Sequence, residues 1–247
     1  MSVEKMFRLD GKRALVTGGS KGIGFAGAMA LREAGAAVTI TARNTAEVEA
    51  AASAIGGEGW ALDATNLKSM TARIEAAPPF DILVASAGTA QHQPTLDVTE
   101  DAFDRVFALN VKAAFFNAQA AARKMVAARI QGVVVFIGSQ MGVVGGQKRA
   151  VYCGSKFAVE GMAKAMAVEL APHGIRVCCL DPTFVETPLT APMFADPTTR
   201  DWILSRIPMG RPARPEEVAA SLVYLCSPAA GMVTGSHLLV DGGWTAP

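Results

Sequence analysis

Tyr152 and Lys156 stand four residues apart in Tyr152-Cys153-Gly154-Ser155-Lys156, which puts both side chains on one face of a helix. A free phenol titrates at about 10, too high for efficient proton transfer at neutral pH. A neighbouring ammonium favours the phenolate, so the pair can work as a general acid or base. Alone, such a pair occurs on many helix surfaces. Its context comes from Ser139, which follows Gly138 at the end of the apolar run Val133–Ile137. A serine there can donate a hydrogen bond to a carbonyl oxygen gaining charge, as one arm of an oxyanion hole does. Asn110 also stands out, because asparagine is disfavoured inside helices. It reads either as a packed polar group or as part of the same site.

A second constellation lies near the N-terminus. Thr17-Gly18-Gly19-Ser20-Lys21-Gly22-Ile23-Gly24 follows one apolar run and opens a helical stretch. Glycines there permit a tight turn, let backbone approach a pyrophosphate and allow close helix–strand packing. The helix start then offers free N–H groups and positive dipole to phosphate. The next strand ends in Ala42-Arg43-Asn44. A carboxylate at that end would bind the ribose hydroxyls of NAD, and Ala42 offers none. Arg43 can make charge-assisted hydrogen bonds to a 2′-phosphate, with Ser20, Lys21 and Asn44 beside it. The spacing predicts NADP(H) rather than NAD(H); the alternative for Arg43 is a solvated loop cation.

These residues need a frame. The 247 residues are 51% hydrophobic and 18% charged, and 23 basic against 22 acidic side chains leave a net charge of +1. That composition excludes disorder, and the even charge argues against a nucleic-acid partner. Apolar runs at Arg13–Thr17, Ala37–Thr41, Gly59–Leu62, Asp81–Ala85, Gly132–Ile137, Ile175–Leu180 and His237–Val240 alternate with helical stretches near 22–35, 44–56, 66–76, 99–129, 150–172 and 214–227. Most runs are continuous rather than alternating, as in sheets buried on both faces. The expected fold is α/β: a single domain, 1–247, with a doubly wound parallel sheet and helices on both faces. The stretch 183–212 is proline-rich and reads as an irregular lid. Cys153, Cys178, Cys179 and Cys226 show no CxxC spacing and read as buried thiols. MSVEKMFRLDG carries charges without an apolar stretch, and no run reaches the roughly 20 residues of a membrane span. The expectation is a cytoplasmic protein with no membrane partner.

The Gly18, Gly22, Gly24 spacing, together with Ser139 and the Tyr152–Lys156 pair, resembles the short-chain dehydrogenase/reductase family, from about Leu9 to Gly243. The resemblance implies a Rossmann-type fold. It also implies hydride transfer between a nicotinamide and a ketone or secondary alcohol, with the catalytic set Asn110, Ser139, Tyr152 and Lys156. Within it, Asn110 holds a water linked to Lys156, and Lys156 also grips the nicotinamide ribose. Asp63-Ala64-Thr65 matches the family's adenine contact, although Asp63 could instead cap the helix near Asn66. The same resemblance assigns Ala87, Gly88, Pro182, Val185 and Thr187 to the cofactor. It further implies a homotetramer or homodimer through the small-residue helix around Met162 and Met166, and a C-terminus, Asp241-Gly242-Gly243-Trp244, near cofactor and subunit contact.

The sequence departs from that pattern at Ser86, where the family has Asn, and at Thr183, where it has Gly. Thr183 predicts either a negative φ or strain. The main reading is a small-molecule ketone/alcohol oxidoreductase. Its alternatives are a 3-oxoacyl-[acyl-carrier-protein] reductase, a polyol or sugar dehydrogenase, and a non-catalytic cofactor-binding regulator. Gln131 and His173 stand where a carrier-protein reductase would need basic side chains, a poor match, although Arg129 and Lys124 nearby leave docking open. Gln140, Met141, Gln147, Phe184, Met193 and Phe194 flank the site and favour a modest ketone with an apolar part over a bare polyol. His92, His173 and His237 lack a ligand partner in sequence and read as structural, with no metal expected.

Overall fold

The computed structural model describes residues 2–246. Seven strands form one parallel sheet: β1 (Arg13–Thr17), β2 (Ala37–Ala42), β3 (Glu58–Ala61), β4 (Ile82–Ala85), β5 (Val133–Ile137), β6 (Arg176–Pro182) and β7 (His237–Val240). Their order is β3-β2-β1-β4-β5-β6-β7. The chain leaves β1 toward β2 on one side, and β4 returns on the other side of β1. Such a reversal opens a crevice at the carboxyl ends of the strands. Thr17, Ala85 and Ile137 end there, at the crevice.

Alternation along these apolar strands decides which layer each side chain joins. Ala14, Val16, Val84, Val135 and Leu180 pack under α2 (Gly22–Glu33), α3 (Thr45–Ile55) and α10 (Pro215–Cys226). Leu15, Leu83, Val134, Phe136 and Val177 pack under α4 (Leu67–Ala76), α6 (Ala114–Ala127) and α7 (Ala150–Leu170). Both cores are apolar, the second holding Trp60, Phe80 and Phe136 among its aliphatic side chains. That explains why the strand sequences are apolar on both faces, with only a few polar residues such as Thr17, Thr39, Thr41 and Asp181 buried in them.

Several boundaries differ from expectation. Strand β3 is Glu58–Ala61, so Leu62 lies beyond it. The stretch 99–129 divides into α5 (Glu100–Phe107), a π-helical segment Ala108–Ala113 and α6. Asn66, not Asp63, caps α4, its Oδ1 accepting from Ser69 N at 3.2 Å. The stretch 183–212 is not irregular, for it holds α8 (Ala191–Ala195) and α9 (Pro197–Ser205), each with proline in its first turn. A further short helix, α1 (Val3–Met6), is capped by Ser2.

The turn after β1 depends on the absence of a side chain. Gly18 has φ +69°, and a Cβ there would sit 2.7 Å from Ala87 Cα. Gly18→Ala is expected to lower stability by about 2 kcal/mol or more, from left-handed strain plus backbone overlap. Urea unfolding checks this, with an unchanged midpoint counting against the close approach.

Candidate active site

The phosphate-binding turn is shaped by contact. A Cβ on Gly24 would fall 2.2 Å from Gly18 O, so helix α2 starts directly against the turn. Lys21 precedes α2 in extended conformation and supplies no side-chain cap. The first N–H groups of α2 are therefore open to an anion. Gly18, Ser20, Gly22 and Ile23 are partly exposed around that opening. Thr187 closes it from above, its Cγ2 3.4 Å from where a Gly22 Cβ would stand. This cradle, which side chains would fill, fits a dinucleotide pyrophosphate.

At the end of β2, Arg43 is exposed and forms no ion pair among the described residues. Lys21 Nζ pairs with Glu47 Oε1 at 2.7 Å, both ends well exposed, and such a pair holds only weakly. Asn44 turns its Oδ1 to Glu47 N at 3.0 Å, so its side chain is spent on capping α3. Asp63 Oδ1 accepts from Thr65 N at 2.8 Å and Thr65 Oγ1 at 2.7 Å. Asn117, which the sequence reading passed over, reaches Ala64 O at 3.3 Å and steadies that loop from within. Ala87 and Gly88 follow β4. Ala87 N donates to Thr17 Oγ1 at 3.3 Å, a bridge to which Ser86 contributes nothing.

Lys156 is only 7% exposed, and its Nζ donates to Ile137 O at 2.8 Å while lying 5.7 Å from the Tyr152 ring centre. Ser139 follows in extended conformation at the end of β5, its Oγ accepting from Met141 N at 3.1 Å. Asn110 lies in the π-helical segment, a distortion that loosens the helical ladder where a functional group is needed. Its side chain ties elements together: Oδ1 accepts from Thr89 N at 2.9 Å, while Nδ2 donates to Thr89 O at 2.9 Å and Ser155 Oγ at 3.1 Å. Ser155 Oγ in turn donates to Tyr152 O at 2.7 Å. Asn110 thus fixes the loop after β4 against the helix that carries Tyr152 and Lys156.

Ser139 and Tyr152 share a cavity of about 260 Å³ with His92, Gln140, Thr183 and Met193. Three of those lining residues carry a buried polar atom without a partner among the described residues: His92 Nδ1, Gln140 Oε1 and Thr183 Oγ1. The histidines correct the sequence reading. His92 stacks edge-on to Tyr152 and sits 3.3 Å from Arg149. Burial, with the Arg149 charge second, pushes its pKa down to about 4. Neutral His92 accepts from Arg149 through Nε2, which places its proton on Nδ1. His237 also has carboxylate neighbours, Asp181 at 3.3 Å and Glu160 at 3.8 Å. Tertiary folding alone joins these loops and strands. Thr183 keeps a negative φ and donates its N–H to Val240 O at 3.1 Å, so the missing glycine brings no strain. Pro182 and Val185 are buried beside it.

The helices over the cavity are pinned by aromatic packing. Trp244 lies 5.6 Å from Phe184 and 5.8 Å from Trp202, ring centre to ring centre. Asp241 holds that C-terminal turn by accepting from Gly243 N, Thr245 N and Thr245 Oγ1.

Residues 18–245 match the family model described as Enoyl-(Acyl carrier protein) reductase. D-erythrulose reductase of Gallus gallus is 40% identical over 235 residues, covering 95% of this chain and 96% of the relative. L-xylulose reductase of Bos taurus is 39% identical, covering 97% and 98%. A solved gluconate 5-dehydrogenase from Burkholderia cenocepacia J2315, in complex with NADP and tartrate, superposes with a TM-score of 0.96 at 32% identity, covering 100% of both chains.

Asn110→Ala removes three hydrogen bonds that join the loop after β4 to α7. The expected loss is about 2–4 kcal/mol of stability, read by thermal unfolding. Stability within about 0.5 kcal/mol of wild type would contradict the bridging role.

Proposed function

The chain belongs to the short-chain dehydrogenase/reductase family, and on that premise we propose that it interconverts a keto sugar and its polyol with NADP(H). One observation carries this reading: Ser139 and Tyr152 line one cavity whose wall holds polar atoms without partners among the described residues. Hydroxyl groups of a sugar answer that deficit, whereas a plain alkyl ketone leaves it unmet. The relatives named as acting on erythrulose and xylulose support the same class.

The chain's residues divide the work. Gly18, Ser20, Lys21, Gly22, Ile23 and Gly24 hold the pyrophosphate. Arg43, with Lys21 and the Asn44 backbone, receives the 2′-phosphate. Asp63 and Ala64 border the adenine, Ala87 and Gly88 the ribose, and Pro182, Val185 and Thr187 the nicotinamide side. NADPH held there would supply a hydride for the carbonyl carbon. Ser139 and Tyr152 hydrogen-bond the carbonyl oxygen, and Tyr152 gives it a proton as charge develops. The Lys156 ammonium stabilises the phenolate left behind. Asn110 fixes these groups in register, and oxidation of the alcohol runs the same path backwards.

The carrier-protein thioester reading has less support. Gln131 and His173 precede the amino-terminal ends of β5 and β6, at the other end of the strands from Ser139, and neither is lysine or arginine. The segment 183–212, with α8 and α9, is the substrate lid. A groove of about 470 Å³ between α6 and α7 holds Phe115 and Met162 together with Arg123 and Glu169. A second copy related by two-fold symmetry can cover it and pair those opposite charges, giving a homodimer or, with a further interface, a homotetramer. The four buried, unpaired cysteines suit a reducing compartment such as the cytoplasm. No helix among the described residues is long and apolar enough to cross a membrane.

NADPH consumption over a panel of keto sugars, simple ketones and a β-ketoacyl thioester tests the reading, with keto sugars expected to turn over fastest. Tyr152→Phe is expected to lower kcat about 1000-fold or more while leaving NADPH affinity nearly unchanged; a retained rate removes Tyr152 as the acid. Arg43→Ala is expected to raise KM for NADPH about 10-fold or more and spare NADH. Equal losses for both cofactors would dismiss the 2′-phosphate contact.

A further inference from the structure

Behind the catalytic edge of the sheet lies a group of ionisable side chains that the reaction does not touch. Asp181, in β6, is 0% exposed and Glu160, in α7, is 6% exposed. Among the described residues, Asp181 Oδ1 and Oδ2 and Glu160 Oε1 have no hydrogen-bond partner. Oxygens of the two carboxyls and His237 Nδ1 lie within 4.8 Å of one another. Gly138 makes the room: a Cβ there would stand 1.9 Å from Asp181 Oδ1 and 3.1 Å from Glu160 Oε1. The acids therefore lie against the residue before Ser139, and Glu160 is one helical turn beyond Lys156.

Two carboxylates this close, out of water, cannot both stay charged without compensation. Each packed element contributes a group to that balance. Helix α7 brings Lys156, β6 brings Cys179, β7 brings His237, and the turn after β5 brings the Ser139 amide. The Cys179 thiol is held neutral by burial and by the two acids. Burial first, and the Glu160 charge second, hold the Asp181 carboxyl well above the usual carboxylate range, with Lys156 pulling the other way.

We propose that Glu160 and Asp181 share one proton, and that the single negative charge they keep is the counter-charge that holds Lys156 as an ammonium. A proton between the two carboxyls gives each acid a partner. The remaining charge offsets the cost of keeping the Lys156 ammonium away from water. Neither acid meets substrate or cofactor; both are positioning residues acting through Lys156. The activity arm of the test rests on the oxidoreductase reading, and the other arms need no substrate.

Asp181→Asn, Glu160→Gln and the double variant are compared with wild type as full-length protein. Each single variant keeps one negative charge, so the midpoint of the pH profile for alcohol oxidation is expected to stay in place. The double variant keeps none, and its midpoint is expected to move up by about 1 pH unit or more. NADPH affinity measured against pH reads the charge on Lys156 without turnover, and there too only the double variant is expected to lose affinity at a lower pH. The shared proton is bound in the folded protein and released in the unfolded chain above about pH 4. Wild-type Tm is therefore expected to fall relative to Asp181→Asn as pH rises from about 5 to about 9. Failure to turn over any alcohol speaks against the function alone, because binding and Tm still decide this point. If the double variant does not fold, the singles decide it through Tm. A single variant that shifts the profiles as far as the double overturns the proposal. So does a double variant that shifts nothing, a Tm difference that does not vary with pH, or a stoichiometric divalent cation in purified protein whose removal by EDTA lowers Tm.

Discussion

A lysine ammonium with 7% of its surface exposed has to be given acceptors from the fold, because water no longer supplies them. For Lys156 the acceptor is Ile137 O at the end of β5, 2.8 Å away. That one bond fixes much of the catalytic edge. It ties α7 to the last residue of a central strand, two residues before Ser139. It also sets the height at which Tyr152, one turn earlier on the same helix, faces the cavity. Were the ammonium solvated on the surface, neither hydroxyl would need to stand where it does.

The sheet serves this constraint by rigidity. Strands β4, β5 and β6 are buried on both faces, so their carboxyl ends cannot shift without disturbing two apolar cores at once. Polar cross-ties then transmit that rigidity into the loops. Asn110 binds the loop after β4 to Ser155, and Asp241 and Trp244 hold the chain end under the helices that cover the cavity. On the other flank, Gly18 against Ala87 joins the phosphate turn to the same loop. The glycine turn after β1 and Ser139 after β5 are thus mounted on strand ends with β4 between them, Lys156 ties α7 to β5, and their separation is set by the sheet rather than by flexible side chains.

Much of this was legible in sequence because the physics is local. Continuous apolar runs indicate strands covered on both faces, and Gly18, Gly22 and Gly24 mark a turn that backbone atoms must approach. The Tyr152–Lys156 spacing follows from the helical period. Element ends were less legible. The stretch 99–129 reads as a single helix through Asn110, because nothing in Ala108–Ala113 distinguishes a π-helical segment from an α-helical one by residue type. Prolines suggested an irregular lid over 183–212, yet in α8 and α9 they sit in first turns, where proline is compatible with helix. Thr183 left two outcomes open, and only the backbone angle decided between them.

Sequence by itself determined the βα alternation, the glycine-rich turn, the missing carboxylate at Ala42 and the Tyr152–Lys156 spacing, since each depends on residues within a few positions of one another. Only the tertiary structure brought His92 to Tyr152, placed Gln140 and Thr183 in one cavity wall, and gathered Glu160, Asp181 and His237 behind Gly138. Those groups come from different strands, helices and loops. Their distances depend on strand order and on which face each side chain takes, and no linear spacing contains that information.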